Sequence, residues 1–538
     1  MRYDGLTRFL FRLITSLPLL ASAAAALLCA RRLLHYFQLE SYQFYGYFKT
    51  VARQWKKAVL PSAVLGALFF GIYFLAYSAD HAAEPFRPLR LLAIYLPAAA
   101  VIVLIGYLVA ARQRKAKEKK PFVMTARMKR LYIILGVVAV ALCLVSPLFV
   151  MALPLLIALA ALIALPLEKG IQRMYMHDAQ RKLDAQKDLI RIGITGSYGK
   201  TSVKVILNTL LSQKYNVLST PASFNTPMGL TRVIRERLEP AHQVFLAEMG
   251  ARHRKDIKEL TDFIHPTIGV LVSVGPQHLD TFKTMESIID TKYDLIRALP
   301  ADGFAAFSDD GGVCADLYAK TTHVPKAIVN RKGGDVWAED MRVSDQGSDF
   351  TLCFADGSRV PCRTRLLGAH NIGNILLCCA VARHLGLSNT QLQRGISQLQ
   401  PVEHRLQLLR SAGGVTIIDD AFNSNPRGAK AALDVLSHFP GRRIIVTPGM
   451  VELGAHAQEV SFNHEFGYQM AASADVCVLI GKKHTLPIQD GLRDAGFNMD
   501  NAHVFASLSE ATTWLQGFMR PGDYVLYEND LPDHYTEN

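Results

Sequence analysis

The chain has 538 residues, of which 50% are hydrophobic, and a formal net charge of +13, so it is too long for one domain and too apolar for an ordinary soluble enzyme. The charge is uneven, because residues 1–191 contain 26 Lys+Arg and 9 Asp+Glu, whereas residues 192–538 contain 33 and 37. The basic excess lies in the apolar part, where orientation in a membrane accounts for it, and nucleic acid is therefore not an expected partner.

Residues 1–167 contain four uncharged apolar runs that are long enough to cross a bilayer, which takes about 20 helical residues. The runs are Leu13–Ala30, Ala58–Ala79, Leu91–Ala111 and Leu131–Leu167. The last run is too long for one span, and Pro147 and Pro154 near its middle favour a tight helical hairpin. We therefore predict a transmembrane region with about five spans, or with three spans and a re-entrant pair.

Loop charge predicts how these spans are oriented. The loops "RRLLHYFQLESYQFYGYFKTVARQWKK" and "RQRKAKEKKPFVMTARMKR" are strongly basic, which predicts that they lie on the cytoplasmic side of the membrane. Residues after Leu167 then emerge on the same side, where ATP is available. Against this orientation, Arg2, Arg8 and Arg12 leave a positively charged N-terminus outside. Residues 168–188, which mix both charge signs, are expected to form an amphipathic connector along the membrane surface.

From Leu189 onward, short β-branched runs alternate with helical periodicity, as in α/β domains. The runs "LIRIGITG", "HQVFLAEMG" and "TIGVLVSV" predict buried strands of a parallel sheet. A second series, "GVTIIDDAF", "RRIIVTPGM", "DVCVLIG" and "DYVLYEND", predicts another α/β unit. The expected fold is thus an α-helical transmembrane region, a P-loop central ATPase domain with a parallel sheet over residues 189–400, and a Rossmann-like α/β domain over residues 401–538.

The segment "TGSYGKTS" follows a predicted strand and precedes a predicted helix, so its backbone N–H groups and the helix N-terminus point at a bound anion. Lys200 neutralises β- and γ-phosphates in this interpretation, and Thr201 supplies a magnesium ligand. The spacing differs from GxxxxGK[ST], because Ile194 occupies the place of the first glycine. The expected nucleotide-binding residues are Thr195, Gly196, Ser197, Gly199, Lys200, Thr201 and Ser202.

Nine short segments in a fixed order resemble the Mur ligase family, and within it the type that adds D-alanyl-D-alanine to a muramyl tripeptide. They are "GITGSYGKTS", "FNTPMGL", "LAEMGA", "VGPQHLDTF", "TKYDLI", "GAHNIGN", "EHRLQ", "IIDDAFNSNP" and "TPGMVELG". The likeness runs from about Ile192 to Tyr527. Two segments depart from the family pattern. The membrane region stands where the family has its UDP-binding domain, and "YENDLPDHY" stands where this type has Lys-Gly-Ser-Arg.

The resemblance assigns roles to residues of the central domain. Glu248 ends a buried strand, the usual place for a carboxylate that meets Mg²⁺ at a sheet edge. His278 resembles the family's second metal ligand, so the expected metal ligands are Thr201, Glu248 and His278. Lys292 resembles the lysine that the family carbamylates, although by itself it reads as a lysine on a helix surface. The catalytic residues that the central domain is expected to supply are Lys200, His278 and Lys292.

The segment "GAHNIGN" and the C-terminal domain complete the expected site. His370, Asn371 and Asn374 resemble the segment that contacts ATP, while helix capping is the alternative for such residues. Arg405 and Asp420 match residues that reach phosphate and ribose, and Arg405 is also expected to take part in catalysis. Three further residues match a loop that faces the substrate in the family, namely Asn423, Asn425 and Pro426. A polar turn without contact to a substrate accounts equally well for these three residues.

The implied chemistry is acyl activation by ATP with Mg²⁺ as the metal cofactor, and it needs no protein nucleophile. The expected partners are a muramyl-peptide cell-wall precursor, either UDP-linked or lipid-linked, an amine co-substrate similar to D-alanyl-D-alanine, and membrane lipid. A capsule-type polyglutamate ligase is an alternative, but a full C-terminal domain with "DDAFNSNP" argues against it. A transport ATPase is another, but the predicted spans contain few internal charges for a polar pathway.

Overall fold

The computed structural model describes residues 16–80, 95, 98–106, 121–221, 224–277, 279–309, 312–344, 346–411, 413–421, 425–451, 453 and 456–529. The chain divides into two compact units, Met1–Arg173 and Met174–Asn538. The first unit is helical in its described part, and the second unit contains two α/β domains.

The N-terminal unit is built from apolar helices that bury small residues and a few large ones. The helices are α1 (Leu17–Leu39), α2 (Phe44–Arg53), α3 (Trp55–Ala58), α4 (Leu60–Asp80), α5 (Ala126–Cys143) and α6 (Leu153–Asp184), and a 3-10 helix (Pro147–Ala152) precedes α6. On α1, alanines such as Ala25, Ala26 and Ala30 are fully buried, which lets neighbouring helices approach closely. The predicted break at Pro147 is confirmed, because this proline begins the 3-10 helix between α5 and α6.

Three segments of this region are long and apolar enough to cross a membrane by length and composition: Leu17–Leu39, Leu60–Ser78 and Pro147–Asp184. Most of the predicted span Leu91–Ala111 lies outside the described residues, of which only 95 and 98–106 are described, and these are helical. The predicted connector over residues 168–188 is largely a continuation of α6, which runs without interruption to Asp184. Its Ala179 and Leu183 are fully buried in a hydrophobic cluster of the second unit.

The central domain is a nine-stranded sheet with the order β2-β3-β1-β4-β5-β6-β7-β8-β9. Its strands are β1 (Ile190–Thr195), β2 (Val217–Ser219), β3 (Val244–Glu248), β4 (Ile268–Leu271), β5 (Phe304–Ser308), β6 (Lys326–Val329), β7 (Val336–Ser344), β8 (Gly347–Phe354) and β9 (Arg359–Thr364). The first six strands are parallel, and three of them, the buried apolar strands β1, β3 and β4, were predicted from the sequence. The antiparallel pairs β7–β8 and β8–β9 were not predicted.

Helices cover this sheet and position its loops. They are α7 (Lys200–Leu211), α8 (Pro227–Arg237), α9 (Asp256–Ile264), α10 (Leu279–Phe282), α11 (Met285–Arg297), α12 (Val313–Lys320), α13 (Ala369–His384) and α14 (Asn389–Ser397). Helix α13 is apolar nearly all round and packs against α7 and β5 in the main hydrophobic core. The start of α13 is thereby held beside the loop that precedes α7.

The C-terminal domain is a six-stranded sheet with the order β10-β11-β15-β12-β13-β14. Its elements are β10 (Gln407–Arg410), β11 (Thr416–Asp420), α15 (Pro426–Ser437), β12 (Arg443–Thr447), α16 (His456–Ser473), β13 (Val476–Ile480), α17 (Leu486–Asp494), a 3-10 helix (Met499–Asn501), β14 (Ala502–Phe505), α18 (Leu508–Phe518) and β15 (Tyr524–Glu528). The four strands predicted for this domain are present and parallel, and only β10 pairs antiparallel. In α/β sheets of this kind, ligands bind beyond the carboxyl ends of the strands.

Candidate active site

The turn between β1 and α7 forms a backbone cradle at the carboxyl edge of the central sheet. Strand β1 ends at Thr195 and α7 begins at Lys200, so the free N–H groups of the first helical turn point out of the loop. Gly199 caps the helix with φ = 79°, a left-handed conformation that favours glycine. A Cβ on Gly199 would lie 2.9 Å from a methyl group of Val272. The tight turn therefore requires glycine at this position and leaves the backbone accessible to an anion.

The hydroxyl groups of this loop divide into two kinds. Thr195 donates to the carbonyl of Met249 at 3.0 Å, and Ser197 donates to the carbonyl of Gly275 at 2.8 Å. Both side chains are buried and hold the loop in place rather than facing a ligand. Ser202, in contrast, is partly exposed in the first turn of α7.

Two lysines converge on the same backbone carbonyl of the loop. The ammonium of Lys200 donates to Gly196 O at 2.7 Å, and that of Lys292 donates to the same atom at 2.9 Å. Burial lowers the pKa of Lys200 to about 8, and nearby Arg405 acts in the same direction while Glu248 opposes it. Lys292 is 2% exposed, and burial together with Lys200 holds its pKa well below that of an ordinary lysine. The loop thus concentrates positive charge where phosphates would bind.

Glu248 lies beside this loop because of the sheet register. Strands β1 and β3 are parallel with Ile194 opposite Glu248, so the carboxylate lies level with the end of β1. Its oxygens accept hydrogen bonds from Thr201 Oγ1 at 3.2 and 3.3 Å and from Asn225 Nδ2 at 3.2 Å. Lys204, one turn after Lys200 on α7, forms an ion pair with it at 3.0 Å. Both partners of this pair are almost completely buried.

The oxygen donors of Thr201 and Glu248 fit a magnesium ion. Mg²⁺ is bound in proteins by one or two carboxylates with hydroxyl, water and phosphate oxygens, and these two side chains supply a carboxylate and a hydroxyl in direct contact. Among the residues that the structure describes, no group of three or more His, Cys, Asp and Glu side chains is placed to hold a metal. His278, the other predicted ligand, lies outside the described residues.

The start of α13 contributes one residue that faces the loop and one that does not. The amide of Asn374 lies against the loop, because its Oδ1 is 3.2 Å from the position of a Cβ on Gly199. Asn371 is buried within the helix and donates to the carbonyl of Leu367 at 2.9 Å, so its side chain neither caps a free backbone amide nor faces the loop. Asn374 is therefore the residue of this segment with access to a nucleotide in the cradle.

In the C-terminal domain, Arg405 and Asp420 lie close together and face the central domain. Burial lowers the pKa of Arg405, and the nearby carboxylates of Asp420 and Glu248 oppose that shift. Burial raises the pKa of Asp420 to about 6, although a hydrogen bond from the backbone N–H of Leu406 at 3.1 Å and the charge of Arg405 act in the opposite direction. Arg405 of the C-terminal domain is therefore close enough to Glu248 of the central domain for their charges to interact.

The predicted substrate loop is only partly described. Asn423 lies outside the described residues. Asn425 accepts from the backbone N–H of Gly428 at 2.9 Å and so caps α15, while Pro426 is the first residue of that helix. These contacts match the alternative of a polar turn that starts a helix.

Two residues of the site were missed in the sequence, namely Lys204 and Asn225. Lys204 is separated from Lys200 by one helical turn on an otherwise apolar face, a spacing that signals a shared partner. Asn225 belongs to "FNTPMGL", and its side chain would be 2.7 Å from a Cβ on Gly250, so it is packed tightly against the turn after β3. Both hold the carboxylate of Glu248, which the sequence alone does not indicate.

Comparisons with known proteins agree with this geometry. Residues 194–382 match the family model described as Mur ligase middle domain, and residues 404–527 match the Mur ligase, glutamate ligase domain. The chain is 31% identical over 357 residues to the UDP-N-acetylmuramoyl-tripeptide–D-alanyl-D-alanine ligase of Mycobacterium tuberculosis, covering 62% of this chain and 69% of that protein. It is 28% identical over 308 residues to the Escherichia coli ligase of the same name, covering 56% and 68%.

Solved structures show the same fold. MurF from Acinetobacter baumannii is similar with a TM-score of 0.60 at 24% identity, over 66% of this chain and 77% of that one. MurF from Thermotoga maritima, solved in complex with ADP, has a TM-score of 0.59 at 24% identity, over 67% and 80%. In each case the similarity covers about two thirds of this chain.

Proposed function

The chain belongs to the Mur ligase family and is an ATP-dependent amide-forming ligase, and from that premise we propose that it extends the peptide of a muramyl cell-wall precursor while anchored in the plasma membrane. One observation supports the proposed catalytic activity. The side chains of four residues meet at the carboxyl ends of β1 and β3, namely Lys200, Lys292, Thr201 and Glu248. The named relatives add D-alanyl-D-alanine to a UDP-linked muramyl tripeptide, and a dipeptide of this kind is the proposed amine.

The proposed reaction has two steps. An oxygen of the substrate carboxylate attacks the γ-phosphorus of ATP, the bond to the β–γ bridging oxygen breaks, and an acyl phosphate and ADP form. The amine nitrogen then attacks the acyl carbon, inorganic phosphate leaves, and the amine proton passes to solvent. Lys200 and the N–H groups at the start of α7 neutralise phosphate charge, and Arg405 adds positive charge from the C-terminal domain.

Magnesium fits the proposed site through Thr201 and Glu248, and when bound it would neutralise charge on the phosphate oxygens. Thr201 and Lys204 hold the carboxylate of Glu248 at the edge of the cradle. Asn374 faces the same cradle and is the proposed partner of the nucleotide base. Asp420 is proposed to contact the ribose.

Lys292 is proposed to act as a carbamate. Carbamate formation joins the neutral amine nitrogen to the carbon of CO₂ and releases a proton, so it needs a lysine that gives up its proton readily. Burial beside Lys200 holds the pKa of Lys292 well below the ordinary value, which supplies that condition. The product carries a negative charge in place of an ammonium that would repel a metal ion.

Membrane insertion is supported by the outer surface of the N-terminal unit. Leu155, Leu162 and Ile163 on α6 are more than half exposed, as are Ile133 and Val137 on α5. Such large apolar side chains on the outside suit contact with lipid, and patches of this kind are uncommon on soluble monomers. With the basic loops inside, the catalytic unit is cytoplasmic.

The test of activity is ADP release by the purified full-length protein in detergent. We expect release only when a UDP-linked muramyl tripeptide and D-alanyl-D-alanine are both present, with the amide product detected by mass spectrometry. Replacing the dipeptide with glutamate tests the polyglutamate alternative. ADP release without either substrate, or amide formation only with glutamate, would contradict the proposal.

The test of orientation is labelling of intact cells with an impermeant thiol reagent. All eight native cysteines are buried, and Cys477 within β13 is fully buried, so it cannot report orientation. New cysteines are needed, namely Ala319→Cys on the exposed end of α12 and Ala82→Cys in the segment Asp80–Arg90, whose mixed charge predicts the side opposite the basic loops. We expect labelling at residue 82 in intact cells and at residue 319 only after permeabilisation, and the reverse pattern would invert the topology.

A further inference from the structure

The loop that follows Glu248 is strongly basic, and the proposed reaction assigns no task to it. It connects β3 to α9 and has the sequence "GARHRK" over residues 250–255. Its three Lys and Arg side chains, which belong to Arg252, Arg254 and Lys255, are all exposed. This part of the chain therefore places a concentration of positive charge a few residues from the candidate metal site.

Contacts within and around the loop hold its backbone in one conformation. The carboxylate of Asp256 accepts hydrogen bonds from the backbone N–H groups of Arg252 and His253, both at 2.8 Å. The guanidinium of Arg254 donates to Ser287 Oγ at 3.1 Å, in the first turn of α11. Only one of the three cations thus takes part in holding the loop.

The neighbouring loop between α10 and α11 adds another cation. The hydroxyl of Thr281 donates to the carbonyl of Arg252, which joins the two loops, and Lys283 of the same loop is exposed. The angle φ is 70° at Lys255 and 71° at Lys283, a left-handed conformation that is strained for residues with a Cβ. Glycine would form both turns without that strain, so the turns themselves do not account for lysine at these two positions.

Three cations of the two loops, Arg252, Lys255 and Lys283, are called the basic rim here. Within the described residues, none of the three side chains forms an ion pair or a hydrogen bond. Lys258 on α9 differs from them, because it pairs with Asp262 at 2.9 Å. Exposed cations that no carboxylate of the protein neutralises attract an anionic ligand.

Sheet order places the basic rim on the side from which an acyl donor approaches. Strand β3 lies on one side of β1, and β4 followed by β5 lies on the other. Helix α13, which carries the proposed base partner Asn374, packs against β5. The donor attacks the γ-phosphorus opposite the leaving ADP, because the attacking and leaving oxygens are roughly in line. With the base toward β5, the donor enters from the β3 side. The basic loop begins there, since a Cβ on Gly250 would lie 2.7 Å from Asn225, which contacts Glu248.

We propose that the basic rim binds a second carboxylate of the acyl donor, so that the enzyme selects peptides whose last residue is a dicarboxylic acid. One carboxylate of that residue reacts at the cradle, and the other, at the end of its side chain, contacts the rim. This inference rests on the proposed function and specifies its acyl donor. Diaminopimelate is a residue of this class, whereas lysine has the same side chain without the second carboxylate.

The experiment compares two donors that differ only in this carboxylate. The full-length protein in detergent receives ATP, D-alanyl-D-alanine and a UDP-linked muramyl tripeptide that ends in either meso-diaminopimelate or L-lysine. We expect kcat/KM for ADP release to be about tenfold higher with the diaminopimelate donor, because a charge-assisted contact is worth roughly that much. The difference should lie mainly in KM and should shrink at high salt, since the rim is exposed. Equal kcat/KM for the two donors would overturn the proposal.

Matched variants locate the selectivity. Arg252→Gln and Lys255→Gly should each lower kcat/KM for the diaminopimelate donor and leave the lysine donor unchanged. Lys255→Gly suits the left-handed backbone, so its unfolding temperature should not fall, and lost selectivity cannot then be ascribed to misfolding. Lys258→Gln removes the same charge from the paired position on α9 and should retain the selectivity.

Two outcomes with these variants would refute the rim. Equal loss with both donors would assign the cations to the diphosphate that both donors carry. Loss of selectivity in Lys258→Gln as large as in Arg252→Gln would indicate a general effect of charge.

Calorimetric titration of each donor, with Mg²⁺ and a non-hydrolysable ATP analogue, separates this inference from the proposed function. If neither donor is turned over but the diaminopimelate donor binds more tightly through Arg252, the proposed function fails and the rim stands. If both donors are turned over equally, the ligase function stands and the rim fails. If neither donor is bound or turned over, both fail.

Discussion

The buried glutamates Glu168 and Glu248 belong to the two different units, and their partners differ in kind. Glu168 has both oxygens occupied by the fork of one guanidinium, Arg130. Glu248 makes separate single contacts with an ammonium, a hydroxyl and an amide, from Lys204, Thr201 and Asn225. A two-point ion pair resists replacement, whereas a carboxylate with several single contacts can exchange one of them for a metal ion. The partners, rather than burial alone, therefore distinguish a structural carboxylate from one prepared for a ligand.

The largest expected effect tests whether the lysines near Glu248 serve chemistry rather than stability. Lys200→Ala should lower ATP turnover by about a thousandfold, because a positioned donor to developing charge is worth roughly that much. Its partly buried side chain fills no core position, so the unfolding temperature should change little. The measurement is ADP release, with Lys320→Ala, an exposed lysine of α12, as the control. Near-normal turnover in Lys200→Ala would make the loop structural.

The second prediction breaks each buried pair in turn. Lys204→Met and Arg130→Met should each lower the free energy of unfolding by about 3 kcal/mol, because each removes the cation closest to a buried carboxylate. Added Mg²⁺ with ATP should restore the unfolding temperature of Lys204→Met, since the metal replaces the lost charge at Glu248. It should not restore Arg130→Met. Equal recovery of both variants, or of neither, would remove the distinction between the two glutamates.

The third prediction concerns the charge that Lys292 carries. Lys292→Ala should lose about a hundredfold in activity, and millimolar acetate should restore part of it, because the small anion replaces the carbamate in the vacated space. Lys292→Arg should not recover, as it keeps a permanent cation in the same place. Activity is measured as ADP release across an acetate titration, with chloride at equal ionic strength as the control. An active arginine variant together with no acetate effect would show that no carbamate is needed.

The smallest expected effect concerns the carboxylate of Asp420. Glu248 is paired with the ammonium group of Lys204, whereas the cation near Asp420 is the guanidinium of Arg405. The pKa of Asp420 is raised to about 6 by burial, so the folded protein holds this proton more tightly than the unfolded chain. Stability from this group is therefore present below about pH 4 and is lost as pH rises through 6. Asp420→Asn should be about as stable as wild type near pH 4 and more stable by about 2 kcal/mol at pH 7.5, which is the free energy that a pKa raised from 3.8 to about 6 corresponds to over this range.

The measurement for Asp420 is thermal unfolding as a function of pH, with Asp419→Asn as the matched control on the same strand. Asp419 is engaged by His404 at 2.7 Å, and that variant should lose the contact rather than gain stability. A pH-independent difference between Asp420→Asn and wild type would mean that the carboxylate does not titrate in this window.

The central sheet illustrates how much of the fold was predictable. The apolar runs before Gly196, Met249 and Val272 were predicted as parallel strands and are β1, β3 and β4. Continuous β-branched runs suffice for this, because a strand covered on both faces needs no alternation. The strands β7, β8 and β9 were not predicted, since their sequences lack the continuous apolar runs of the predicted parallel strands and antiparallel pairing depends on turns that the segment motifs do not contain.

The site was predictable where local chemistry determines it and not where distant segments meet. The glycine at 199, the lysine after it and the following threonine are readable from one strand-to-helix turn, because a phosphate cradle is made within a few residues. That Lys292 shares a carbonyl with Lys200, and that Lys204 pairs with Glu248, depends on how β3 and α11 pack beside β1. Sequence order and charge alone therefore determined the membrane-like unit, the ligase family and the nucleotide loop. Only the packed structure decided which buried charges face one another, because burial removes the water that would otherwise separate them.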